Sequence, residues 1–169
     1  MPTSRLIRAL TLACAAAATP LASAEAGRVE VVYVDPQQFT DVRDGFTPTD
    51  SARDFYLAEI RRYIERQAAR RLADGEVLRV RITDVQLAGV YEARRAAVTD
   101  VRIIREVTPA RIDLGFRLER ADGAVAAAGE RQLRSTGYPV GVRIDPSDPL
   151  RYEKVLLDGW LAETFPQRR

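Results

Sequence analysis

The sequence predicts an α+β fold of two layers, in which a mainly antiparallel sheet of four to five strands packs against two helices. Residues 111–119 alternate strictly between apolar and polar side chains, which is the period of a strand with one buried face. Asp122-Gly123 follows as a preferred hairpin turn. Two stretches, 51–73 and 149–165, carry apolar residues at helical spacing. The predicted order of elements is β-α-β-β-β-β-α.

The first 24 residues have the pattern of a secretory signal peptide that is removed from the mature protein. A basic start, Arg5 and Arg8, precedes a largely apolar run and the small-residue cleavage site Ala22-Ser23-Ala24. We therefore expect cleavage after Ala24, export to the periplasm and a single folded domain over residues 25–169. The apolar run is too short to cross a membrane, and no later stretch approaches the ~20 apolar residues of a transmembrane helix.

Cys14 is the single cysteine, and it raises the alternative of an outer-membrane lipoprotein. Thr11-Leu12-Ala13 lacks the apolar residue expected three positions before a lipidated cysteine, and Cys14 precedes the better cleavage site. Cleavage after Ala24 would leave the mature chain with neither a thiol nor a disulfide. Its stability in an oxidising compartment would then rest on burial of a core.

The balance of charge argues against a nucleic-acid partner. The full chain has 26 Lys+Arg and 24 Asp+Glu, and the first 24 residues contain two arginines and no acid, so the mature chain has 24 of each sign (26 − 2). Nucleic-acid binding requires clustered positive charge. The chain has no histidine, which excludes Ser-His-Asp and Cys-His catalysis and histidine metal sites. With no glycine-rich phosphate loop either, we expect no cofactor.

Three strands are predicted before the hairpin. The first, at 28–34, is apolar at nearly every position, which suits an interior strand covered on both faces. Asp35-Pro36 ends it, because proline lacks a ladder donor and restricts the residue before it. The second, at 76–87, alternates regularly until Asp84, where we expect a bulge or the end of the strand. The third lies at 101–107.

Each predicted helix begins at a capping signal. Ser51 caps the first, Asp54 completes a capping box, and Asp74-Gly75 ends the helix. Asp148 caps the last, with Pro149 at the favoured first position. The apolar faces expected to meet the sheet consist of Leu57, Ile60, Ile64, Ala68 and Leu72 in the first helix and Leu150, Leu157, Leu161 and Phe165 in the last.

A two-residue turn fixes the register of the predicted hairpin. It pairs Phe116 with Gly129 and places Arg131 opposite Leu114, on the apolar face. An arginine at that position requires either water at that end of the sheet or a carboxylate partner. A slip by one residue would turn Glu130 inward instead, which is less favourable.

Three aspartates and two tyrosines form a possible ligand or partner surface. Asp35 and Asp41 follow the first strand and Asp84 ends the second, so these carboxylates would converge if the two strands were neighbours. Paired carboxylates can hydrolyse glycosides or bind divalent metals, although loop aspartates commonly bond their own backbone. Tyr91 and Tyr138 lie in predicted loops, where binding residues concentrate.

Two functional interpretations follow from these features. The leading one is a non-catalytic binding or accessory protein of the cell envelope, whose partner would be an envelope protein. The alternative is a carboxylate-dependent hydrolase that acts on envelope glycan or phosphoesters. The absence of histidine and cysteine chemistry favours the first.

Several segments are similar to one known family. They are Val34-Asp35-Pro36, Phe39-Thr40-Asp41, Asp84-Val85, Leu87-Ala88-Gly89, Val101-Arg102-Ile103, Arg111-Ile112-Asp113-Leu114 and Asp148-Pro149-Leu150-Arg151-Tyr152-Glu153-Lys154 with Trp160. Together they resemble the exported proteobacterial family catalogued as domain of unknown function three thousand and sixteen. The resemblance spans the mature chain and implies export and a compact α+β domain, but no activity, cofactor or partner. One departure is Tyr91-Glu92-Ala93-Arg94, where the family pattern leads us to expect a tryptophan.

Overall fold

Six strands and two helices make up the part of the chain that the structure, a computed structural model, describes. Those residues are 25–43, 49–91, 102–103, 108–135 and 147–167. The strands are β1 (Arg28–Tyr33), β2 (Val77–Gln86), β3 (Val90–Tyr91), β4 (Arg102–Ile103), β5 (Arg111–Glu119) and β6 (Val125–Arg134). The helices are α1 (Asp50–Ala69) and α2 (Arg151–Thr164), and a short 3-10 turn occupies Pro36–Gln38.

Four strands form the main sheet, in the order β1-β2-β5-β6. β1 runs parallel to β2, and α1 connects them, whereas the β2-β5 and β5-β6 pairs are antiparallel. The predicted α+β class is confirmed, and so is the predicted order of elements, to which the short β3 adds one strand. The described part of the predicted third strand, β4, lies outside this sheet and pairs with β3 in a separate ribbon. Residues 90–91, predicted as loop, are therefore a strand.

One face of the sheet packs against both helices. As the alternation predicts, Leu78, Val80 and Ile82 of β2 are buried while Arg79 and Arg81 are exposed. The rest of this core comes mainly from β5, α1 and α2 and includes Ile112, Leu114, Phe116, Leu118, Leu57, Ile60, Ile64, Leu157, Trp160 and Leu161. The rings of Phe116, Trp160 and Phe165 meet edge to face, with centroids 5.6–5.8 Å apart. No helix among the described residues is long and apolar enough to cross a membrane.

β1 is an edge strand, so the prediction of an interior strand covered on both faces is wrong. Only Val31 is fully buried, and Val32 keeps 57% of its surface exposed. Val29 and Tyr33 pack against the core on the same side as Val31. β-branched residues favour extended backbone even on an exposed face, so a run of valines does not establish double-sided burial.

The cap of α1 lies two residues before the predicted one. The hydroxyl of Thr49 accepts a hydrogen bond from the Ala52 amide at 3.2 Å, so Thr49, not Ser51, is the N-cap. The helix also ends earlier, at Ala69. Gly75, predicted as its stop, has a φ of 75° and forms the turn into β2, where a Cβ would lie 2.7 Å from the Cβ of Ala121.

α2, by contrast, begins later than predicted, at Arg151. Asp148 accepts a hydrogen bond from the Leu150 amide at 2.9 Å and forms an ion pair with Lys154. The aspartate therefore stabilises the turn before the helix, and Pro149 belongs to that turn. The predicted apolar face is confirmed for Leu150, Leu157, Leu161 and Phe165, all of which are buried.

The hairpin has the predicted register but not the predicted turn. Phe116 pairs with Gly129, as expected. The loop, however, is residues 121–123, closed by a 2.9 Å hydrogen bond from the Arg120 amide to the Ala124 carbonyl, and Gly123 has a φ of 80°. A register shift between Leu118 and Glu119 absorbs the extra residue. Arg131 lies opposite Leu114 and is exposed, with its guanidinium 5.3 Å from the Phe116 ring centroid, so that end of the sheet is open to water.

Candidate functional site

Residues 39–43 run alongside the end of β2 and bring two of the predicted aspartates to one region. The Asp41 amide donates to the Val85 carbonyl at 3.1 Å, and the Leu87 amide donates to the Asp41 carbonyl at 2.9 Å. Asp41 thus extends the parallel edge that β1 begins. We call the region the junction. It comprises Thr40, Asp41, Asp84, residues 87–89, Arg102, Arg111 and Glu153.

Asp84 is held by Thr40 and Arg111. Its Oδ1 accepts a hydrogen bond from the Thr40 amide at 2.7 Å. Its Oδ2 accepts one from the Thr40 hydroxyl at 2.7 Å and forms an ion pair with Arg111. The predicted bulge is confirmed, because the register of β2 shifts between Ile82 and Asp84. Burial of the carboxyl group opposes ionisation, but the Thr40 hydrogen bonds and the Arg111 charge outweigh it and lower the pKa of Asp84. This carboxylate is a structural anion.

Arg102 connects Asp41 and residues 87–89 within the junction. Its Nη1 lies 3.0–3.2 Å from the carbonyl oxygens of residues 87, 88 and 89 and 3.3 Å from Oδ2 of Asp41, so these four acceptors share its two N–H groups. Its Nη2 donates to the Arg43 carbonyl at 3.0 Å. The side chain is only 14% exposed. A single guanidinium therefore fixes three backbone segments relative to one another.

Glu153 is a buried acid that the sequence analysis did not single out. It is 1% exposed, and its Oε1 accepts the Ala88 amide at 2.7 Å. Its Oε2 has no hydrogen-bond partner in the described part of the chain. Burial raises the pKa of Glu153, and the Ala88 hydrogen bond and the charges of Arg102 and Arg151 only partly offset the rise. One local signal existed, since Glu153 follows Leu150 by three residues and precedes Leu157 by four and so occupies a position on the apolar stripe.

A cleft of about 240 Å³ adjoins the junction. It lies beyond the carboxyl ends of the parallel strands β1 and β2 and in front of the first turn of α1, the place where open α/β sheets commonly bind ligands. Two Arg–Asp pairs line it, Arg43 with Asp41 at 2.8 Å and Arg53 with Asp50 at 2.9 Å. Its other polar lining residues include Gln37, Thr40 and Thr49.

The remaining predicted site residues lie outside the junction or outside the described residues. Asp35 has a φ of 49° and begins the 3-10 turn after β1, so it serves as a turn residue. Tyr91 lies in β3, where its backbone pairs with Arg102, and was wrongly predicted in a loop. Tyr138 lies outside the described residues. Among those that the structure describes, no three Asp, Glu, His or Cys residues group so as to hold a metal ion.

The segments on which the family resemblance rests meet at the junction. Six of the seven supply its members, namely those that contain Asp41, Asp84, Ala88, Arg102, Arg111 and Glu153. No curated protein matches the chain. A family model described as "Protein of unknown function (DUF3016)" matches residues 27–163. Because that match covers most of the chain, the protein belongs to the DUF3016 family.

Proposed function

We propose that this protein is a non-catalytic binding or accessory protein of the cell envelope, which acts in the periplasm after removal of residues 1–24. The observation that carries the proposal is that both aspartates of the junction are already paired with other side chains. Asp84 is bound by Arg111 and Thr40, and Asp41 by Arg43 and Arg102. General acid–base catalysis needs a group that can exchange protons near the working pH and reach a substrate.

The same contacts argue against the hydrolase alternative. A glycosidase needs one carboxyl group whose pKa is raised and a second that is ionised, with both facing the same sugar. The pKa of Asp84 is lowered instead. The pKa of Glu153 is raised, but its side chain is buried between α2 and residues 87–89, where Oε1 accepts a backbone amide. No specific observation favours a hydrolase.

The size and lining of the cleft favour contact with another protein. Its volume of about 240 Å³ is below the ~300–1,000 Å³ of pockets that enclose a small molecule. Its walls offer both donors and acceptors, and the two guanidiniums are already balanced by Asp41 and Asp50. Such a surface suits one or two polar side chains of an envelope protein. The signal-type pattern of the first 24 residues supports placement in the envelope.

In-cell crosslinking of the tagged full chain in its native host, followed by mass spectrometry, tests the proposal. Arg53→Gln changes the cleft, and Arg62→Gln is the matched control, because Arg62 is exposed on the same helix and pairs with Glu59 at 2.6 Å. We expect one reproducible envelope protein with wild type and Arg62→Gln. Its yield should fall about fivefold or more in Arg53→Gln, which corresponds to a loss of ~1 kcal/mol of binding energy.

Two results would contradict the proposal. The first is the absence of any partner above background, and the second is an equal yield from Arg53→Gln and Arg62→Gln. Tyr91→Ala and Tyr138→Ala in the same experiment test whether the two tyrosines contact the partner. The intact mass of the exported protein tests its location. We expect a start at Glu25 without acyl groups, whereas an acylated start at Cys14 would favour the lipoprotein alternative.

A further inference from the structure

Glu153 forms a buried polar contact between α2 and the segment that follows β2. The carboxyl group is 1% exposed and accepts the Ala88 amide at 2.7 Å. Its neighbours on the helix face, Leu150 and Leu157, are 1% and 0% exposed and belong to the core. The contact therefore joins α2 to residues 87–89 inside the protein.

The two protonation states of this carboxyl group fit the site unequally. When it is ionised, Oε2 holds negative charge in a buried position without a hydrogen-bond partner among the described residues. An uncompensated buried charge is costly, because the protein interior replaces only part of the solvation that water provides. When it is protonated, Oε2 becomes a neutral hydroxyl whose burial without a partner costs far less than a buried charge, and Oε1 still accepts the Ala88 amide.

The neighbouring positive charges do not remove this difference. Among the residues that the structure describes, the charged groups that act on the carboxyl group are Arg102, from β4, and Arg151, from its own helix. The Arg102 guanidinium already donates to the carbonyls of residues 87–89 and to Asp41. Its charge is thus shared with several other acceptors, one of which is an anion.

We propose that Glu153 is a pH-sensitive latch between α2 and residues 87–89, closed when its carboxyl group is protonated and loosened when the group ionises. The raised pKa of Glu153, caused chiefly by burial, agrees with the geometry. An acid whose pKa is raised in the folded state binds its proton more tightly there than in the open state. The closed contact is therefore most stable below the ordinary glutamate pKa of ~4.3 and weakens as the pH rises through the raised value.

The latch has a structural consequence for the ribbon and the junction. Residues 87–89 lead directly into β3, and the Arg102 that binds their carbonyls belongs to β4. When the segment loosens from α2, the ribbon and the Asp41 contact of Arg102 loosen with it. The pH thereby acts on the border of the proposed binding cleft, although the latch itself does not depend on the proposed function.

Hydrogen exchange of the full chain, read at the amides of residues 87–89, tests the latch. After correction for the pH dependence of intrinsic exchange, we expect the protection of the Ala88 amide to be highest below the ordinary glutamate pKa of ~4.3 and to fall several-fold as the pH rises through the raised pKa of Glu153. Glu153→Gln keeps a carbonyl oxygen for that amide but cannot ionise, so its protection should not change with pH. Glu163→Gln, an exposed glutamate on the same helix, is the matched control and should follow wild type.

The latch is overturned if wild type and Glu153→Gln show the same pH dependence at Ala88, or if wild type shows none. If Glu153→Gln does not fold, a carbon-13 titration of the Glu153 carboxyl group in the wild-type protein decides the matter. A midpoint at or below ~4.3, the ordinary glutamate value, would overturn it. Because neither measurement involves a partner, failure of the latch leaves the binding proposal intact, and the crosslinking result has no bearing on the latch.

Discussion

The centre of the sheet is buried and the junction is partly buried, and different forces hold the two regions. In the sheet, Leu78 lies opposite Leu118, and Val80 lies opposite Phe116, beneath the two helices. At the junction, buried polar groups are held by ion pairs and hydrogen bonds around Arg102 and Asp84. Burial of apolar area is insensitive to pH and tolerant of small changes in geometry, whereas buried charges are stable only when every partner is present. Substitutions should therefore separate the two regions by the size of their effect and by its dependence on pH.

The largest effect is expected at the centre of the core. Leu161, in α2, is 0% exposed, so Leu161→Ala should lower the free energy of unfolding by ~3 kcal/mol, through lost transfer energy and the cavity that remains. Phe116→Ala should cost about as much. Urea denaturation measures both. Val32→Ala, at an exposed valine of β1, is the control and should cost less than ~1 kcal/mol. Retention of the wild-type midpoint by both core variants would contradict the core assignment.

A smaller loss is expected for the guanidinium at the junction. Arg102→Ala leaves Asp41 and the carbonyls of residues 87–89 without their common donor, and it should cost about 2 kcal/mol. Arg102→Lys retains the charge but not the planar set of donors, so it should recover only part of that loss. Chemical denaturation at pH 7 is the measurement. Equal stability of Arg102→Lys and wild type would show that charge alone suffices at this position.

The next loss of stability, at Asp84, should depend on pH. Asp84→Asn removes the ion pair with Arg111 and should cost about 1–2 kcal/mol at pH 7. Because contacts in the folded state lower the pKa of Asp84, its contribution is present above the ordinary aspartate value of ~3.9 and is lost as the pH falls through the lowered one. The difference between variant and wild type should therefore vanish in strong acid. Asp74→Asn, at an exposed aspartate, should show no such convergence.

Asp84 and Glu153 should thus respond to pH in opposite directions, although both belong to the junction. The contribution of Asp84 fades as the pH falls, and the contact of Glu153 weakens as the pH rises. A series of melting temperatures from pH 3 to pH 8 for Asp84→Asn and Glu153→Gln would test this opposite dependence on pH. Parallel curves for the two variants would contradict it.

The smallest effect is expected on the open face of the sheet. Arg81 pairs with Glu130 at 3.2 Å, with 59% and 71% of the two side chains exposed. Exposed pairs contribute little, because water screens their charges and both side chains lose rotamer freedom. Glu130→Gln should change the free energy of unfolding by no more than ~0.5 kcal/mol in urea titrations at low salt. A loss as large as that of Arg102→Ala would mean that the contrast between buried and exposed polar contacts does not hold.

The hairpin shows which sequence signals were reliable. The dipeptide Asp122-Gly123 was assigned to the wrong turn, yet the predicted pairing of Phe116 with Gly129 is correct. The prediction of that register rested on a two-residue turn, whereas the loop is one residue longer. A bulge near Glu119 then accommodated the longer loop. Burial of one face decided the pairing, and the turn adapted to it.

The exact ends of the helices were less predictable. Thr49 and Ser51 are both good N-caps, and the choice between them depends on where the preceding chain leaves the sheet. Likewise, a run of valines at 28–34 predicts a strand but not its neighbours. That β1 is an edge strand follows from the topology of the whole sheet.

Local signals in the sequence are enough to predict the α+β class, the apolar faces of β2, β5 and the helices, the family, and a bulge or strand end at Asp84. Each of these depends on periodicity or on short motifs, which are local properties of the chain. By contrast, the contact of Asp41 with Arg102, 61 residues away, and that of Glu153 with Ala88, 65 residues away, are visible only in the folded chain. Partners so distant leave no periodic signal, because their contact depends on how the whole sheet and α2 pack together.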